Sequence, residues 1–212
     1  MTSNMATDLK LRDRILEQSR DEFLSRGFSK VTLDEIATGL GISKKTLYKY
    51  YPSKEELLRA SLHSMMRSAG WELERIASSD KPLVEKLASA LMLVGKYVSR
   101  IRGETITDFQ RFVPSLWKEL DQYRQEQIIN RLIKMLQQGR AENVFRPEVN
   151  EQVLIYMLVS SLRSVIHPAI LSKHSFSAEE AAMSIFKVLF EGAFTDEARK
   201  EFHILKNSTE LL

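Results

Sequence analysis

The sequence of 212 residues contains no cysteine and only four histidines. Without cysteine the chain has no disulfide framework, no thiolate metal site and no thiol nucleophile. The histidines, at positions 63, 167, 174 and 203, do not have the spacing of metal ligands. His167 and His174 lie seven residues apart, but Pro168 interrupts the segment between them. We therefore expect neither a metal site nor a cofactor.

Sequence motifs of the common enzyme classes are also absent. The chain has no HExxH zinc motif, no glycine-rich phosphate loop and no GxSxG nucleophile motif. The adjacent acids Glu55-Glu56 and Glu179-Glu180 are better explained as first-turn residues that the helix dipole favours. We expect no enzymatic activity.

Long hydrophobic runs are missing too. The longest candidate, VLIYMLVSSL at residues 153–162, is shorter than the roughly 18 residues that a membrane helix needs. The first residues, MTSNMATDLKLRDR, lack the apolar centre of a secretory leader. These patterns predict a cytoplasmic protein that does not use a membrane.

Positive charge is concentrated in one region, although the formal net charge is only +3. Between residues 28 and 54 five lysines stand against two acids, Asp34 and Glu35. Such a run in itself is often a solvated surface, so its meaning depends on the local motif.

The stretch VTLDEIATGLGISKKTLYKYYPSKEELL, at residues 31–58, contains that motif. Thr32 and Glu35 form a capping box at the start of one short helix. Gly41 permits a sharp turn, and Ser43 caps a second helix. Two short helices joined by a glycine turn are typical of a helix-turn-helix, whose second helix fits a DNA major groove.

The segment from about Arg12 to Met65 resembles the DNA-binding domain of the TetR family of bacterial transcriptional regulators. The resemblance is carried by ILEQSRDEFLSRGFSKVTLDEIATGLGIS and KKTLYKYYPSKEELL. It covers about a quarter of the chain, and the remainder is interpreted from general architecture. The helical patterns predict an all-α fold with about nine to ten helices in total. We expect an N-terminal three-helix helix-turn-helix domain at residues 1–52. It is linked through helix four, at about 53–77, to a larger helical effector-binding and dimerisation domain at 78–212.

Residues expected to contact DNA can be assigned by chemical type. Thr32 and Lys54 stand at helix starts, where phosphates bind. The resemblance implies that the tyrosine hydroxyls at positions 48 and 50 contact the DNA backbone. Base reading is expected from the first turn of the second helix, although its two lysines could instead contact phosphate alone. Leu47 and Tyr51 are expected in the core. The predicted DNA-binding set is Thr32, Ser43, Lys44, Lys45, Thr46, Tyr48, Lys49, Tyr50 and Lys54.

Two helices near the C-terminus are apolar on more than one face and must be buried against something. One interpretation is a single domain core. The other, which the resemblance implies, is a homodimer in which these helices and their mates form a four-helix bundle. A dimer would present two reading heads to a palindrome. The predicted interface comprises Val153, Tyr156, Met157, Leu162, Ile166, Ala182, Ile185 and Leu189.

The resemblance also implies a small-molecule effector among helices four to eight. Methionine and aromatic side chains suit an adaptable apolar pocket, although at helical spacing they also fill cores. The candidate wall residues are Met65, Met66, Trp71, Met92, Tyr97, Phe109, Phe112, Trp117 and Tyr156. Arg163, His63 and His167 are candidates for polar recognition. A lipophilic drug, a fatty acid derivative or an aromatic compound is the expected ligand class.

The sequence thus predicts a ligand-responsive transcriptional repressor that binds a palindromic DNA operator as a homodimer and is released by a small hydrophobic effector. Activation remains open, because the same contacts serve both signs of regulation. The alternative is a helix-turn-helix regulator whose C-terminal domain only dimerises or docks a protein partner.

Overall fold

A computed structural model describes residues 2–98, 103–124, 126, 130–171 and 173–209. Within this part the regular secondary structure consists of helices joined by turns and loops, with one isolated bridge between Phe145 and Phe194. The predicted all-α class is confirmed. The helices are α1 Thr2–Arg26, α2 Leu33–Leu40, α3 Lys44–Tyr50, α4 Lys54–Ala77, α5 Leu83–Val98, α6 Gly103–Phe112, α7 Pro114–Arg124, α8 Asn130–Ala141, α9 Glu151–Val165, α10 Pro168–Leu171, α11 Ala178–Ala193 and α12 Asp196–Thr209.

Two compact units divide the chain. Unit 1 comprises Met1–Ser68 and Arg100–Asp121, and unit 2 comprises Ala69–Ser99 and Gln122–Leu212. Unit 1 therefore takes in a segment from beyond the domain boundary that the sequence predicts at residue 78. The functional division at helix four stays a prediction.

Unit 1 is built on α1, which packs against α2 and α6, while α2 packs against α3. Apolar side chains at helical spacing line the inner face of each of these helices and exclude water from the unit's core. The fully buried side chains of unit 1, which come from α4 and α7 as well, include Ile15, Phe23, Ile36, Leu47, Leu57, Leu58, Ile106 and Leu116.

Unit 2 has an aromatic core. Helix α11 packs against α5 and α9, α12 packs against α5, and α8 packs against both α5 and α9. The rings of Phe186 and Phe190 stack with their centroids 4.2 Å apart, and those of Phe145 and Phe194 stack at 6.0 Å. Phe202 closes the cluster, with its ring centroid 5.4 Å from that of Phe194.

The structure differs from the predicted helix limits in several places; α1, for example, begins at Thr2, whereas the sequence pattern predicts a start near Asp8. The helical pattern between Ser115 and Gln138 predicts a single helix ending at Gly139, whereas the described residues form two segments, α7 and α8. Residues 125 and 127–129, between them, lie outside the described part of the chain.

Candidate nucleic-acid interface

Local caps and one left-handed glycine fix α2 and α3. The Thr32 hydroxyl oxygen accepts the N–H of Glu35 at 3.2 Å, and the Glu35 carboxylate accepts the N–H of Thr32 at 2.8 Å. Gly41 ends α2 with φ +68°, a conformation that residues with a β-carbon rarely adopt. Ser43 begins α3 by accepting the N–H of Thr46 at 3.0 Å. The predicted capping box, turn and second cap are confirmed.

Helix α3 has a buried face and an exposed face. Leu47 is fully buried and Tyr51, just after the helix, is buried as well, so both belong to the core as predicted. Thr46 and Tyr50 are half-buried. The exposed face carries Lys44, Lys45, Tyr48 and Lys49. A short helix fixed from behind by its apolar residues therefore presents lysines and a phenol to solvent.

The lysines on this face differ in their surroundings. Lys45 and Lys49 have no ion-pair partner among the described residues. The ammonium of Lys44 lies 2.7 Å from one carboxylate oxygen of Asp34, and this hydrogen bond raises the pKa of Lys44. Two cations are thus available to a ligand, and the third is held by α2.

Two other predicted DNA contacts also have partners inside unit 1. The Tyr50 hydroxyl donates to the carboxylate of Asp8, which raises the pKa of Tyr50. The Lys54 ammonium lies 4.4 Å from the centroid of the Phe28 ring, and burial lowers the pKa of Lys54. Contact with DNA would require Tyr50 to exchange one hydrogen bond for another.

A carboxylate already occupies the start of α2. Arg26 donates to Glu35 at 2.7 Å, and together with the two hydrogen bonds from Thr32 it lowers the pKa of Glu35 to about 2. Glu35 is therefore ionised at neutral pH. A phosphate bound at Thr32 would share this helix start with that charge.

Helix α6 holds the last turn of α1 and the loop between α1 and α2, contacts that the sequence patterns did not predict. The Ser29 N–H donates to Asp108 at 2.7 Å, and the Thr105 hydroxyl donates to the Leu24 carbonyl at 3.0 Å. The one residue in the sequence that hints at the contact between Ser29 and Asp108 is Gly27, because a β-carbon there would lie 2.9 Å from the Asp108 carboxylate. No sequence pattern pairs residues that are so distant along the chain.

Helices α9 and α11 of unit 2 carry exposed apolar side chains. Tyr156 is 71% exposed and Val188 is 72% exposed, and Val153 and Met157 are about half exposed. Of the other predicted interface residues, Ala182 is only 1% exposed, so its side chain packs inside unit 2 and not on this face. Leu162, Ile166, Ile185 and Leu189 are half-buried.

The predicted wall residues of an effector pocket have unlike environments. In unit 1, Met65 and Phe109 are buried, Met66 and Trp117 are half-buried and Phe112 is exposed. His63 is bonded to Glu119 at 2.6 Å. In unit 2, Trp71 is 81% exposed, Met92 and Tyr156 are exposed, and the Tyr97 hydroxyl donates to Glu72. Arg163 and His167 are exposed.

Two cavities lie in unit 2. One, of about 400 Å³, is lined by residues of α8 and α9 and by Asn150. The other, of about 330 Å³, lies among α5, α11 and α12, with Phe202 on its wall and Lys187, Glu191 and His203 as its charged or ionisable groups. None of the predicted wall residues lines either cavity.

The described residues form neither a metal-binding cluster nor a membrane-spanning helix. No group of three or more His, Asp or Glu residues there could hold a metal ion. No helix in this part of the chain combines the length and apolarity needed to cross a membrane.

Comparison with known proteins bears on the same region. The model of the bacterial regulatory proteins of the tetR family matches residues 15–61, which contain α2, α3 and the capped turn between them. The uncharacterized HTH-type transcriptional regulator YvaF of Bacillus subtilis is 28% identical over 189 residues, which is 87% of this chain and 96% of YvaF.

Similarity extends to a second relative and to solved structures. The HTH-type transcriptional repressor KstR2 of Mycolicibacterium smegmatis is 24% identical, over 70% of this chain and 73% of that protein. A TetR-family transcriptional regulator from Mesorhizobium loti has the same fold, with a TM-score of 0.63 and 16% identity over 88% of this chain and 98% of its own. Residues 15–61 of this chain are thus similar to the tetR family of bacterial regulatory proteins, and the proteins it resembles over most of its length are transcriptional regulators.

Proposed function

We propose that this regulator is a repressor which binds a palindromic DNA operator as a homodimer and is released by a small hydrophobic effector. The observation that carries the DNA-binding part is the exposed face of α3. Lys45, Tyr48 and Lys49 point to solvent there, while Leu47 and the capped turn fix the helix from behind.

The contacts divide by chemistry into positioning and reading. Thr32, Ser43, Lys49 and the hydroxyls of Tyr48 and Tyr50 are suited to phosphate oxygens, which set the register on the duplex. A lysine in the first turn of α3 can donate to guanine O6 or N7, and the methyl group of Thr46 can pack on thymine. We assign Lys54 to the phosphate contacts as well, with its side chain steadied by the Phe28 ring.

The exposed apolar face of α9 and α11 supports the homodimer. Tyr156 and Val188 each leave more than two thirds of their surface in water, a cost that a second copy would remove. A two-fold pair of α3 helices would then meet two half-sites about one helical turn apart, or a multiple of it. Repression, as opposed to activation, is supported by the relative KstR2, which is named a repressor.

Effector release is supported by the resemblance to the TetR family. A ligand that binds one spacing of the two heads better than another shifts the population toward or away from the DNA-competent state. The alternative, a unit 2 that only dimerises or docks a protein, is favoured by one observation. Trp71, Met92 and Tyr156 are exposed, and they line neither of the two cavities described above.

Selection of random duplex DNA by the purified protein, at two salt concentrations, tests the DNA-binding proposal. Enrichment of an inverted repeat is the expected result, and salt-sensitive binding with no enriched sequence contradicts it. Fatty acids, aromatic acids and lipophilic drugs are then added to the operator complex. Release of the protein from the operator by one class of compound supports a small-molecule effector. If no compound releases the protein or raises its melting temperature, the result favours a unit 2 that only dimerises or docks a protein.

A further inference from the structure

We propose that Asp34 is a specificity-determining residue, which strengthens discrimination between operator and other DNA by keeping Lys44 from non-specific phosphate contacts. The inference rests on the proposed function and deepens it. It assigns a role in recognition to a residue of α2 that carries the same charge as DNA.

The geometry of the pair is close on both sides of the carboxylate. The Lys44 ammonium lies 2.7 Å from one oxygen of Asp34 and 2.9 Å from the other. Lys44 is the first residue of α3 and Asp34 is the second of α2, so the ion pair joins the two helices of the motif. Both side chains are more than half exposed, so the pair can open and is not a requirement for folding.

The pair bears on non-specific binding because that binding consists of phosphate contacts. To Lys44, a phosphate oxygen offers the same chemistry as the Asp34 carboxylate, an anionic acceptor. Exchange of one for the other therefore gains little, and the remaining Asp34 charge repels the phosphate. On the operator, base contacts made elsewhere on α3 set the register and Lys44 keeps Asp34, so removing the Asp34 charge changes operator affinity little.

Acids are not placed beside every cation on this face. Lys45 and Lys49, on the same helix, have no carboxylate partner in the described part of the chain. Tyr50 resembles Lys44 in this respect, since its hydroxyl donates to Asp8. The Thr32 hydroxyl likewise donates to Glu35. Three donors assigned to DNA are thus held by carboxylates, while two neighbouring cations are left available for attraction.

The test compares Asp34→Asn with Asp80→Asn, which changes the net charge equally on an exposed loop of unit 2. Asparagine keeps an oxygen acceptor for Lys44 and removes only the charge. Affinities are measured for the selected operator and for a random duplex at two salt concentrations. For Asp34→Asn we expect random-duplex affinity to rise about threefold to tenfold, with a salt slope steeper by up to about 0.9. Operator affinity should change by less than about twofold, so that the ratio falls. Equal shifts on both duplexes, or the same result with Asp80→Asn, overturn the proposal.

A double-variant cycle tests the route through Lys44. In a Lys44→Ala background the extra effect of Asp34→Asn should shrink to that of Asp80→Asn, and an undiminished effect overturns the route. Circular dichroism verifies that each variant is folded, and Asp34→Ala provides a second variant without the charge. Failure of the wild type to select any operator contradicts the proposed function. Selection with an unchanged specificity ratio in Asp34→Asn contradicts this inference alone.

Discussion

The backbone N–H of Ser29 donates to the carboxylate of Asp108 at 2.7 Å, and the bond joins residues 79 positions apart. Ser29 lies in the loop between α1 and α2, and Asp108 lies on α6. Gly27, with φ +85°, lets the loop approach, because a β-carbon there would meet the same carboxylate. Helix α6 thus fixes the segment that leads into the helix-turn-helix.

Replacing Asp108 tests the strength of this contact. Asp108→Ala should lower the free energy of unfolding by about 0.5–1.5 kcal/mol, because the Ser29 N–H loses its acceptor and must turn to water. Asp108→Asn keeps an oxygen at the same place and should lose less than half as much. Urea denaturation measures both variants, and equal losses would show that the charge and not the hydrogen bond matters.

Lys45 is the cation on α3 best placed to read a base, since it is exposed and has no ion-pair partner in the described residues. We expect Lys45→Ala to relax the preference at one operator position in each half-site, at a cost of about 1–3 kcal/mol per contact. Binding to a set of single-base operator variants measures this. Equal weakening on every sequence would assign Lys45 to a phosphate instead.

The exposed face of α9 and α11 gives a prediction about assembly. Val188→Glu should weaken the dimer by at least about tenfold, because each copy would bury a carboxylate against an apolar surface. Ile204→Glu is the matched control, because Ile204 is 66% exposed on α12 and is not part of the proposed interface. Sedimentation equilibrium distinguishes the two variants. Dimers of equal strength in both would remove α11 from the interface.

Acid should act on the cap of α2. The pKa of Glu35 lies at about 2 in the folded chain against an ordinary value of 4.5, so its contribution to stability is present above pH 4.5. The contribution is lost as the pH falls toward 2, since the folded carboxylate then takes up a proton. When the pH falls from 4.5 to 2, the free energy of unfolding of Glu35→Gln should decrease less than that of the wild type. Glu17→Gln, at an exposed site on α1, should follow the wild type. The free energy of unfolding is measured against pH by urea denaturation. Parallel curves for wild type and Glu35→Gln would contradict a stabilising role of the ionised Glu35 carboxylate.

The parts of the site that the sequence predicted are those governed by local spacing. A capping box needs only Thr32 and Glu35 three residues apart, and the glycine turn needs only Gly41 at the end of a short apolar helix. Leu47 and Tyr51 could be assigned to the core because the helical period separates them from the lysines.

What the sequence did not predict depends on contacts between distant segments. The bonds of Lys44 to Asp34, Tyr50 to Asp8 and Ser29 to Asp108 join polar residues that follow no helical periodicity. The predicted wall residues of the effector pocket were likewise beyond what local sequence patterns can assign. A methionine or aromatic residue fits a core, a cavity or an interface equally well, and only the tertiary packing distinguishes Met65, which is buried, from Trp71, which is not.

The central claim, that the exposed face of α3 contacts DNA, is tested most directly by removing its two unpaired lysines. Affinity for the selected operator is measured at one salt concentration for Lys45→Ala/Lys49→Ala and for Lys173→Ala/Lys200→Ala, which removes the same charge from exposed sites of unit 2. We predict a loss of at least about tenfold for the α3 pair and less than about twofold for the control pair. Equal losses in the two double variants would contradict the account.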